Sequence, residues 1–518
     1  MALDILTKIV DARKADIKKR GIDFGYDIPA ERKRAVHPFI QKKGVALEVK
    51  RASPSKGDIA PNLDAAATAL AYQEAGASAI SVLTEENYFK GNLGDLKRVC
   101  DSVDVAVLRK DFLVYPEEID VAYKIGADAV LLIARILDQD SLGKMLSRCA
   151  SLGITAFVEL RLEDDLQKLA SARASDKEAG RATVVCGVNA RDLKDFSIDL
   201  LTPCGFLAQI KSVMGQDCSV IFESGIRTPQ AAAFAGSLGF TGMLLGEAAA
   251  RDTSMAKSLV ENFVGAGQTQ NAARWNDFAK KVRARKASCK TESGAQVFGL
   301  QPVRPFVKIC GITNMEDAKT AADLGADLLG FVLCAASPRS VTEDFIRQAR
   351  AALRGQGEKS APLFVGVVTE LSSPEGKAAL RLAKEGFLDY IQLHGQTAAS
   401  DFFADKENIG VPHYCAVNLS EESDLQKIKK LCDFGEPRVL VDAKVGDKVG
   451  GTGTQVAEEL VCEAAKKVPL WLAGGLGADN VRDAIKKFSP ELIDASSLLE
   501  AAPGKKDLEK LKKFFGEL

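Results

Sequence analysis

The sequence predicts an α/β protein made of two tandem (β/α)8 barrels (TIM barrels), with an extra N-terminal helix and a helical linker. Apolar runs typical of buried strands recur along the chain at intervals of 22 to 36 residues, as expected for strands that are covered on both faces. Segments with helical periodicity lie between these runs. The runs form two series of eight, and eight strands that alternate with helices close into a barrel.

The first series of apolar runs lies within residues 1–263. Its members begin near residues 45, 79, 105, 129, 155, 184, 219 and 242. Residues 1–20 precede this series and have the pattern of an amphipathic helix. The apolar residues of that helix lie near one face: Leu3, Leu6, Val10 and Ile17. We therefore predict one barrel over residues 1–263, with an additional helix before its first strand.

The second series predicts another barrel over residues 303–518. Its members begin near residues 306, 328, 364, 390, 412, 438, 469 and 492. The intervening residues 264–302 are polar and locally basic, and we interpret them as a linker that contains one helix. RNA binding by this segment is a weaker alternative. Such binding needs aromatic side chains on which bases stack, and the segment offers little beyond Trp275 among its basic residues.

Composition excludes several classes of function. Across 518 residues, 69 Lys and Arg nearly balance 70 Asp and Glu, which disfavours a general binder of nucleic acid or anionic membranes. No apolar run is long enough for a transmembrane helix, and the N-terminal segment lacks the apolar core of a signal peptide. We expect a cytoplasmic protein. Eleven cysteines without C-x-x-C pairs and three histidines predict no metal site and no cofactor.

Ionisable residues cluster at the predicted strand ends of the first barrel, where barrel enzymes place their active sites. Lysines and carboxylates crowded in one cleft can provide an acid and a base at neutral pH. Small residues after strands 7 and 8 also allow backbone N–H groups to approach a phosphate. The polar residues at strand ends are Glu48, Lys50, Lys110, Glu159, Asn189, Arg191 and Glu223, and the phosphate candidates are Ser224, Gly225 and Gly246.

The motifs at these strand ends resemble those of indole-3-glycerol-phosphate synthase over about residues 1–260. They read, in order, EVKRASPSKG (48–57), SVLTEENYFKG (81–91), RKDF (109–112), VEL (158–160), VNARDL (188–193) and ESGI (223–226). The resemblance implies that an anthranilate–deoxyribulose phosphate is closed and decarboxylated to indole-3-glycerol phosphate.

By the same resemblance, each residue has an implied role. Lys110 is the general acid for ring closure, and Glu159 and Lys50 are the acid–base pair for closure and dehydration. Glu48 and Asn189 support them, and the division of proton transfers among these residues stays open. The implied binding residues are Ser53, Ser224, Gly225 and Gly246 for phosphate, Phe89, Phe112 and Leu131 for the anthranilate ring, and Arg191 for carboxylates.

The second barrel places Cys310 at the end of its first strand and Asp442 at the end of its sixth. A thiolate can act as a base once its pKa falls, and a buried carboxyl can act as an acid. Such a pair suits proton transfer beside a carbonyl or imine without a cofactor. A Gly-rich loop follows Asp442 (444–453), and small residues after strands 7 and 8 predict a second phosphate site.

These motifs resemble phosphoribosylanthranilate isomerase over about residues 303–518. They are KICGIT, SPR (337–339), QLHG (392–395), LVDAK…GGTG, AGGLGADNV (473–481) and DASS (494–497). The resemblance implies an Amadori rearrangement, in which Asp442 protonates the ring oxygen and Cys310 removes the C2′ proton. The implied binding residues are Arg339 for the substrate carboxylate and Gly474, Gly475, Ser496 and Ser497 for phosphate.

Three positions depart from the two families' patterns. Glu247 stands beside the first phosphate site, where some relatives have Ser. Leu498 replaces a Gly and would be strained if that position needs a positive φ. Residues 455–460 (QVAEEL) replace an aromatic-Asp pattern. We interpret His394 as a structural histidine.

Together the halves predict a bifunctional enzyme of tryptophan biosynthesis, because the isomerase product is the synthase substrate. Its partners are expected to be phosphorylated anthranilates alone, and fusion favours a monomer. Two alternatives remain: a histidine-pathway sugar-phosphate isomerase, which would use paired aspartates, and a catalytically silent phosphate-binding second barrel.

Overall fold

The computed structural model describes residues 5–54, 57–192, 197–287, 303–353, 361–443 and 453–518, with the side chains of 453–457 excepted. Within these ranges the chain divides into two compact units, Met1–Gln268 and Thr269–Leu518. Each unit contains one closed barrel of eight parallel strands. The prediction of two tandem (β/α)8 barrels is confirmed.

The strands of the first barrel are apolar and buried over nearly their whole length. They pair in sequence order, and the first closes on the eighth through pairs such as Gly44↔Gly242. A short antiparallel ribbon, Ala52–Ser53 with Gly57–Asp58, follows the first strand. The strands are β1 Gly44–Val49, β2 Ala79–Leu83, β3 Ala106–Lys110, β4 Ala129–Ile133, β5 Thr155–Leu160, β6 Val184–Asn189, β7 Val220–Glu223 and β8 Gly242–Leu245.

Helices surround this barrel, and local sequence fixes several of their ends. Asp64, Asn92 and Asp138 each accept a backbone N–H at a helix N-terminus, which satisfies a donor that the helix itself leaves free. The helices are α1 Ile5–Arg20, α2 Ala65–Glu74, α3 Leu93–Ser102, α4 Glu117–Ile125, α5 Gln139–Leu152, α6 Glu163–Ser175, α7 Lys177–Arg181, α8 Leu201–Met214, α9 Pro229–Ser237, α10 Glu247–Arg251 and α11 Met255–Gly265, with a 3-10 turn at Ala134–Ile136.

The second barrel repeats this plan. Its first strand closes on its eighth through pairs such as Phe306↔Leu492. The strands are β9 Phe306–Cys310, β10 Leu328–Val332, β11 Leu363–Val368, β12 Tyr390–His394, β13 His413–Asn418, β14 Val439–Asp442, β15 Trp471–Ala473 and β16 Leu492–Ala495. A second ribbon, Glu500–Ala502 with Lys505–Lys506, follows the last strand.

The helices of the second unit begin before its barrel. They are α12 Gln270–Ala287, α13 Met315–Asp323, α14 Glu343–Leu353, α15 Pro374–Lys384, α16 Gln396–Ala404, α17 Glu422–Phe434, α18 Gly453–Ala465, α19 Val481–Phe488 and α20 Leu508–Gly516, with 3-10 turns at Lys406–Asn408 and Ser497–Leu499. Within the described ranges, each helix is too short or too polar to traverse a bilayer.

The segment predicted as a linker contains α12, which packs on the second barrel. Trp275 has no solvent exposure, and its ring lies 5.0 Å from that of Tyr390 and 5.9 Å from that of Trp471. No nucleic-acid base can stack on a ring buried in this way. Residues 288–302, the rest of the predicted linker, lie outside the described part of the chain.

All sixteen predicted strands begin within two residues of an observed one. The predicted N-terminal helix is α1, which buries Leu6 and Val10 and leaves Ile17 half-buried. Leu3 lies outside the described residues.

Candidate active sites

The first barrel has a pocket at the carboxyl ends of its strands, with a volume of about 160 Å³. Glu223 is fully buried beneath this pocket on β7. The structure brings the other predicted site residues of this barrel together in the pocket wall: Glu48, Lys50, Ser53, Phe89, Lys110, Phe112, Leu131, Glu159, Asn189, Arg191, Ser224, Gly225 and Gly246.

Lys110 is the centre of the charged part of the pocket. Its Nζ lies 3.1 Å from Glu48 Oε2 and 3.3 Å from Glu223 Oε2, and Glu159 acts on it electrostatically. Burial alone would lower the pKa of Lys110, but the Glu48 carboxylate, with contributions from Glu223 and Glu159, outweighs burial and raises it. Lys110 is therefore held as an ammonium that can donate a proton or a hydrogen bond.

Glu48 joins the two lysines. Its carboxylate contacts Lys110 and also lies 3.2 Å from Lys50 Nζ. Burial favours the neutral acid, but the two ammonium groups outweigh it and lower the pKa of Glu48 to about 2. Gly246 makes room for this carboxylate, because a Cβ at that position would lie 2.5 Å from Glu48 Oε1.

The pKa values of the other two carboxyl groups, Glu223 and Glu159, are raised. Burial, reinforced by the neighbouring Glu159, raises the pKa of Glu223 to about 8. Burial also raises the pKa of Glu159, although Lys110 and a hydrogen bond from Asn189 oppose it. Asn189 is oriented by the Arg191 N–H, which donates to its Oδ1 at 3.0 Å. One cluster thus contains a carboxylate whose pKa is lowered and carboxyls whose pKa is raised, which is the requirement for acid–base catalysis.

An apolar wall lies across the pocket from strands β7 and β8. The rings of Phe89 and Phe112 are 6.0 Å apart, and Leu131 on β4 completes the wall. Buried Glu85 holds the Phe89 loop by accepting three backbone N–H groups, including that of Phe89 at 3.0 Å. Lys50 Nζ lies 5.4 Å from the centre of the Phe89 ring. A flat aromatic ring fits between such a wall and the charged cluster.

The backbone that follows β7 has a conformation that lets an anion approach it closely. Ser224 has φ 68° and Gly225 has φ 85°, and the left-handed region is costly for a residue other than Gly. A Cβ on Gly225 would lie 2.8 Å from Ile198 Cγ2. Strain at this strand end, together with the small residues, is typical of an anion-binding turn.

Arg227 also lines the pocket, and sequence reasoning missed it. It lies near Arg191: burial, with a contribution from the Arg227 charge, lowers the pKa of Arg191, and the nearby Glu247 carboxylate opposes this. Glu247 Oε2 lies 3.8 Å from Arg191 Nη2 and its Oε1 lies 3.5 Å from Arg251 Nη2. The Glu247 side chain therefore lies between Arg191 in the pocket wall and exposed Arg251. The position of Arg227, three residues after the Ser224 turn begins, was the available signal.

Helix α1 supplies another part of the pocket that the sequence analysis did not assign. Ile5, Leu6 and Ile9 line the cavity. Buried Arg13 anchors the helix, because its guanidinium lies 2.8 Å from Asp111 and donates from Nε to Glu118 at 3.0 Å. The amphipathic pattern predicted a buried face, but not the surface that this face covers.

In the second barrel, Cys310 ends β9 beside two other predicted residues. Ser496 Oγ donates to the Cys310 carbonyl at 3.0 Å. Gly311 has φ 78°, and a Cβ there would lie 2.8 Å from Arg339 Cδ and 3.2 Å from Ser496 Oγ. Gly311 thus permits Arg339 and Ser496 to approach the thiol-bearing strand end.

A buried polar network lies below Cys310, and the sequence-based prediction assigned no role to its members. Lys308 Nζ donates to Asp494 Oδ2 and to Gln392 Oε1, each at 2.6 Å. Tyr414 OH donates to the same Gln392 oxygen at 3.0 Å. Burial raises the pKa of Cys310, while Lys308 lowers it and Asp494 raises it further. The i, i+2 spacing of Lys308 and Cys310 was the available signal, since it places both side chains on one face.

Asp442 ends β14 next to the predicted phosphate turn. A Cβ on Gly474 would lie 2.9 Å from Asp442 Oδ1, and Asp442 acts electrostatically on Asp494. Gly474 and Gly475 both have positive φ, 101° and 62°. Residues 444–452 of the predicted Gly-rich loop (444–453) lie outside the described residues, as do the side chains of 455–457 in QVAEEL.

Arg339, the predicted carboxylate ligand, is itself held by a carboxylate. Its Nε and Nη2 donate to Glu500 at 2.9 and 2.6 Å. Buried Lys506 donates to Glu500 Oε1 at 2.9 Å. The guanidinium is therefore fixed in one orientation at the barrel mouth.

Leu498, which departs from the family pattern, has an ordinary backbone conformation. It lies in the 3-10 turn Ser497–Leu499 without a positive φ and is 51% exposed, so the expected strain is absent. Ser497 beside it is exposed.

His394 accepts from the Gln392 amide at 3.2 Å. Within the described ranges, no group of three or more His, Cys, Asp and Glu is placed to hold a metal ion.

Two family models match the chain in tandem. The model for indole-3-glycerol phosphate synthase matches residues 6–261, and the model for N-(5'phosphoribosyl)anthranilate (PRA) isomerase matches residues 307–517.

Relatives with both halves match over most of the chain. The tryptophan biosynthesis protein TrpCF of Vibrio cholerae is 32% identical, covering 91% of this chain and 85% of that protein. The tryptophan biosynthesis protein TRP1 of Phytophthora nicotianae is 30% identical, with coverage of 86% and 85%. The multifunctional tryptophan biosynthesis protein of Schizosaccharomyces pombe is 30% identical, and the chain spans only 59% of its length.

Proposed function

Since the chain belongs to the family of tryptophan-biosynthesis proteins that join an indole-3-glycerol phosphate synthase domain to a phosphoribosylanthranilate isomerase domain, we propose that it carries out both reactions. The second barrel isomerises N-(5'-phosphoribosyl)anthranilate to 1-(2-carboxyphenylamino)-1-deoxyribulose 5-phosphate. The first barrel closes and decarboxylates that product to indole-3-glycerol phosphate.

In the isomerase step, Asp442 protonates the furanose ring oxygen, and the ring opens to a Schiff base. The Cys310 thiolate then removes the C2′ proton to give the enolamine, which becomes the ketone. Arg339 binds the anthranilate carboxylate, and the turn at Gly474 and Gly475 binds the phosphate. The positions of Cys310 and Asp442 at the carboxyl ends of β9 and β14 support these roles.

In the synthase step, the Lys110 ammonium protonates the C2′ carbonyl oxygen while the ring carbon that bears the carboxylate forms the new C–C bond. Carbon dioxide then leaves, and the hydroxyl departs as water with proton transfer through Glu159 and Lys50. Glu48 fixes both lysines, and Asn189 fixes Glu159.

The binding groups of the synthase site are divided between two sides of the pocket. The wall of Phe89, Phe112 and Leu131 holds the anthranilate ring, and the turn at Ser224 and Gly225 holds the phosphate. The remaining assigned contacts are Ser53 and Gly246 with the phosphate and Arg191 with the substrate carboxylate.

The observation that carries the proposal is the ammonium of Lys110 held among the carboxyl groups of Glu48, Glu159 and Glu223 in a pocket with an apolar wall and a strained turn. Transition-state charge can be stabilised there without rearrangement of the site.

The test supplies freshly prepared phosphoribosylanthranilate to the purified chain and follows both products by chromatography. Formation of indole-3-glycerol phosphate is expected. Accumulation of the deoxyribulose phosphate alone means that the first barrel is silent. If neither product forms, the deoxyribulose phosphate is supplied directly, and turnover then identifies the second barrel as the silent one. No turnover of either substrate contradicts the proposal.

Single substitutions separate the two sites. Lys110→Ala is expected to abolish indole-3-glycerol phosphate formation and to leave the isomerase unchanged. Cys310→Ala and Asp442→Asn are expected to do the reverse. Loss of both activities in a folded variant contradicts two independent sites.

We also propose that the protein is a cytoplasmic monomer and that it binds small phosphorylated anthranilates. Size-exclusion chromatography with light scattering tests the oligomeric state, and a mass of twice 55.4 kDa contradicts the monomer.

A further inference from the structure

One buried lysine connects Cys310 to the interior of the second barrel. Lys308 lies on β9 two residues before Cys310, so the two side chains share the inner face of the strand. The Lys308 side chain has no solvent exposure. Its ammonium hydrogen-bonds Asp494 and Gln392, each at 2.6 Å, and the side chain lies beside Cys310: a Cβ added to Gly330 would lie 2.7 Å from Cys310 Sγ and 3.0 Å from Lys308 Cε. A buried ammonium persists only where its partners replace water, and the thiol of Cys310 is one of the groups beside this one.

We propose that Lys308 is a positioning residue of the isomerase reaction, whose ammonium orients the Cys310 sulfur and supplies the positive charge that a thiolate needs at this place. The inference rests on the proposed function, in which Cys310 acts as the base. Lys308 acts through Cys310 and need not contact the substrate.

Charge balance in the barrel interior supports this assignment. Lys308 and Asp494 form an ion pair at 2.6 Å that carries no net charge. Ionisation of Cys310 therefore adds a negative charge to a buried site, which is costly unless a cation lies in contact. Burial raises the pKa of Cys310, and Lys308 is the largest influence that lowers it.

The other charged and titratable groups that face Cys310 influence its thiol less than Lys308 does. In the part of the chain that the structure describes, they are Asp494, Lys506, Tyr414 and Arg339. Lys506 is engaged by Glu500, and Arg339 is engaged by the same carboxylate. Of these cations, Lys308 has the largest influence on the Cys310 thiol.

The partners of Lys308 also explain why its position is fixed. Gln392 Oε1 accepts from both Lys308 and Tyr414, and Asp494 Oδ2 accepts from Lys308. Because β9 pairs with β16, which bears Asp494, the ion pair spans the seam that closes the barrel. The ammonium is thereby held below the sulfur before substrate arrives.

The test measures the ionisation of Cys310 directly, in the full-length chain. Alkylation by iodoacetamide is followed over a range of pH, and the Cys310 peptide is quantified by mass spectrometry, since ten other cysteines are present. Only the thiolate reacts, so the midpoint reports its pKa. Lys308→Met is expected to raise the midpoint by about one pH unit or more, so that alkylation below the midpoint slows about tenfold.

Asp494→Asn is the matched variant, and it is expected to shift the midpoint downward, because the anion that opposes the thiolate is removed. A merely structural role would loosen the site in both variants and move both midpoints in the same direction. The isomerase kcat of Lys308→Met is expected to fall about tenfold with a smaller change in KM, and its pH profile is expected to shift in parallel with alkylation.

The double variant Lys308→Met/Asp494→Asn leaves no unpaired charge and keeps the test valid if Lys308→Met does not fold. Its midpoint is expected to lie above that of Asp494→Asn alone. Equal midpoints, or an unchanged midpoint in an active Lys308→Met enzyme, overturn this inference while the isomerase function stands. Absence of isomerase activity in the wild-type chain instead overturns the proposed function.

Discussion

Lys110 Nζ lies 3.1 Å from Glu48 Oε2, and both side chains are largely buried at the mouth of the first barrel. The same Glu48 carboxylate also contacts Lys50. One anion therefore sets the charge and the position of both lysines to which we assign proton transfers. Its removal affects the two lysines together, which makes Glu48 the sensitive point of the synthase site.

We expect Glu48→Gln to lower the synthase kcat by about 10²- to 10⁴-fold, the range over which positioned acids and bases contribute. The amide keeps the shape of the side chain, but the carboxylate that most raises the pKa of Lys110 is lost. The measurement is kcat with the deoxyribulose phosphate as substrate. The isomerase activity of the same chain is the internal control, and a synthase kcat near that of the wild type contradicts the role of Glu48.

The pKa of Glu223 predicts how stability depends on pH. Its pKa is about 8 in the folded protein and about 4.5 when unperturbed. Between these values the folded state binds a proton that the unfolded state has lost, so the free energy of unfolding decreases as pH rises through this window. Glu223→Gln removes this titration. We expect the variant to have the higher Tm at about pH 8.5, and the difference to shrink or reverse near about pH 5.

Thermal unfolding at the two pH values checks this expectation. Glu178→Gln is the control, because Glu178 is exposed on α7 and forms a surface ion pair with Arg181. A variant whose Tm differs from that of the wild type by the same amount at both pH values contradicts the raised pKa of Glu223.

Glu247 places a carboxylate in the wall of the pocket that we assign to a phosphorylated substrate. Its Oε2 lies 3.8 Å from Arg191, so it competes with the substrate's anions for that arginine. We expect Glu247→Ser to lower the KM of the synthase about fivefold, equivalent to about 1 kcal/mol of repulsion in a partly solvated site, with little change in kcat. Glu261→Ser makes the same change of charge on the exposed face of α11 and is expected to leave KM unchanged. An unchanged or higher KM in Glu247→Ser contradicts competition at Arg191.

Trp275 tests whether α12 stabilises the second barrel. It is fully buried against Tyr390 and Trp471, and loss of such a ring costs about 3–5 kcal/mol. We expect Trp275→Ala to lower the free energy of unfolding of the second unit by this amount, with Trp275→Phe losing less. The synthase activity of the first unit is the control. A Trp275→Ala chain with unchanged unfolding contradicts the packing of α12.

Periodicity and strand-end position predicted much of this molecule. Strands buried on both faces give continuous apolar runs, which is why all sixteen were found within two residues of their observed starts. Strand ends also predicted the polar residues that meet in the first pocket, because the carboxyl ends of parallel strands in a closed barrel face one mouth.

What the sequence did not reveal depends on contacts between distant segments. Helix α12 is polar along much of its length, and the burial of side chains such as Trp275 and Phe278 shows that it packs on a barrel. Lys308 lies inside an apolar strand, where a single charge gives no sign of its partner 186 residues away. Arg13 likewise contacts Glu118 across 105 residues. The tertiary fold brings such pairs together, and the local sequence pattern does not predict them.

Gly311 tests the position of Arg339 in the isomerase site. A Cβ at Gly311 would lie 2.8 Å from Arg339 Cδ, so Gly311→Ala displaces the arginine to which we assign the substrate carboxylate. We expect the KM for phosphoribosylanthranilate to rise about tenfold, which corresponds to about 1.4 kcal/mol of lost binding. Steady-state kinetics with saturating and limiting substrate separate this effect from a change in kcat.

The backbone strain of the substitution needs its own control. Gly311 has φ 78°, and a left-handed conformation costs an L residue about 1–2 kcal/mol. Gly386 has φ 80°, and a Cβ added there would meet no neighbouring atom within 4 Å, so Gly386→Ala carries the same strain without a displaced neighbour. Both variants are expected to lose similar stability, and only Gly311→Ala is expected to lose substrate affinity. An equal rise of KM in the two variants would show that strain, and not the displacement of Arg339, weakens binding.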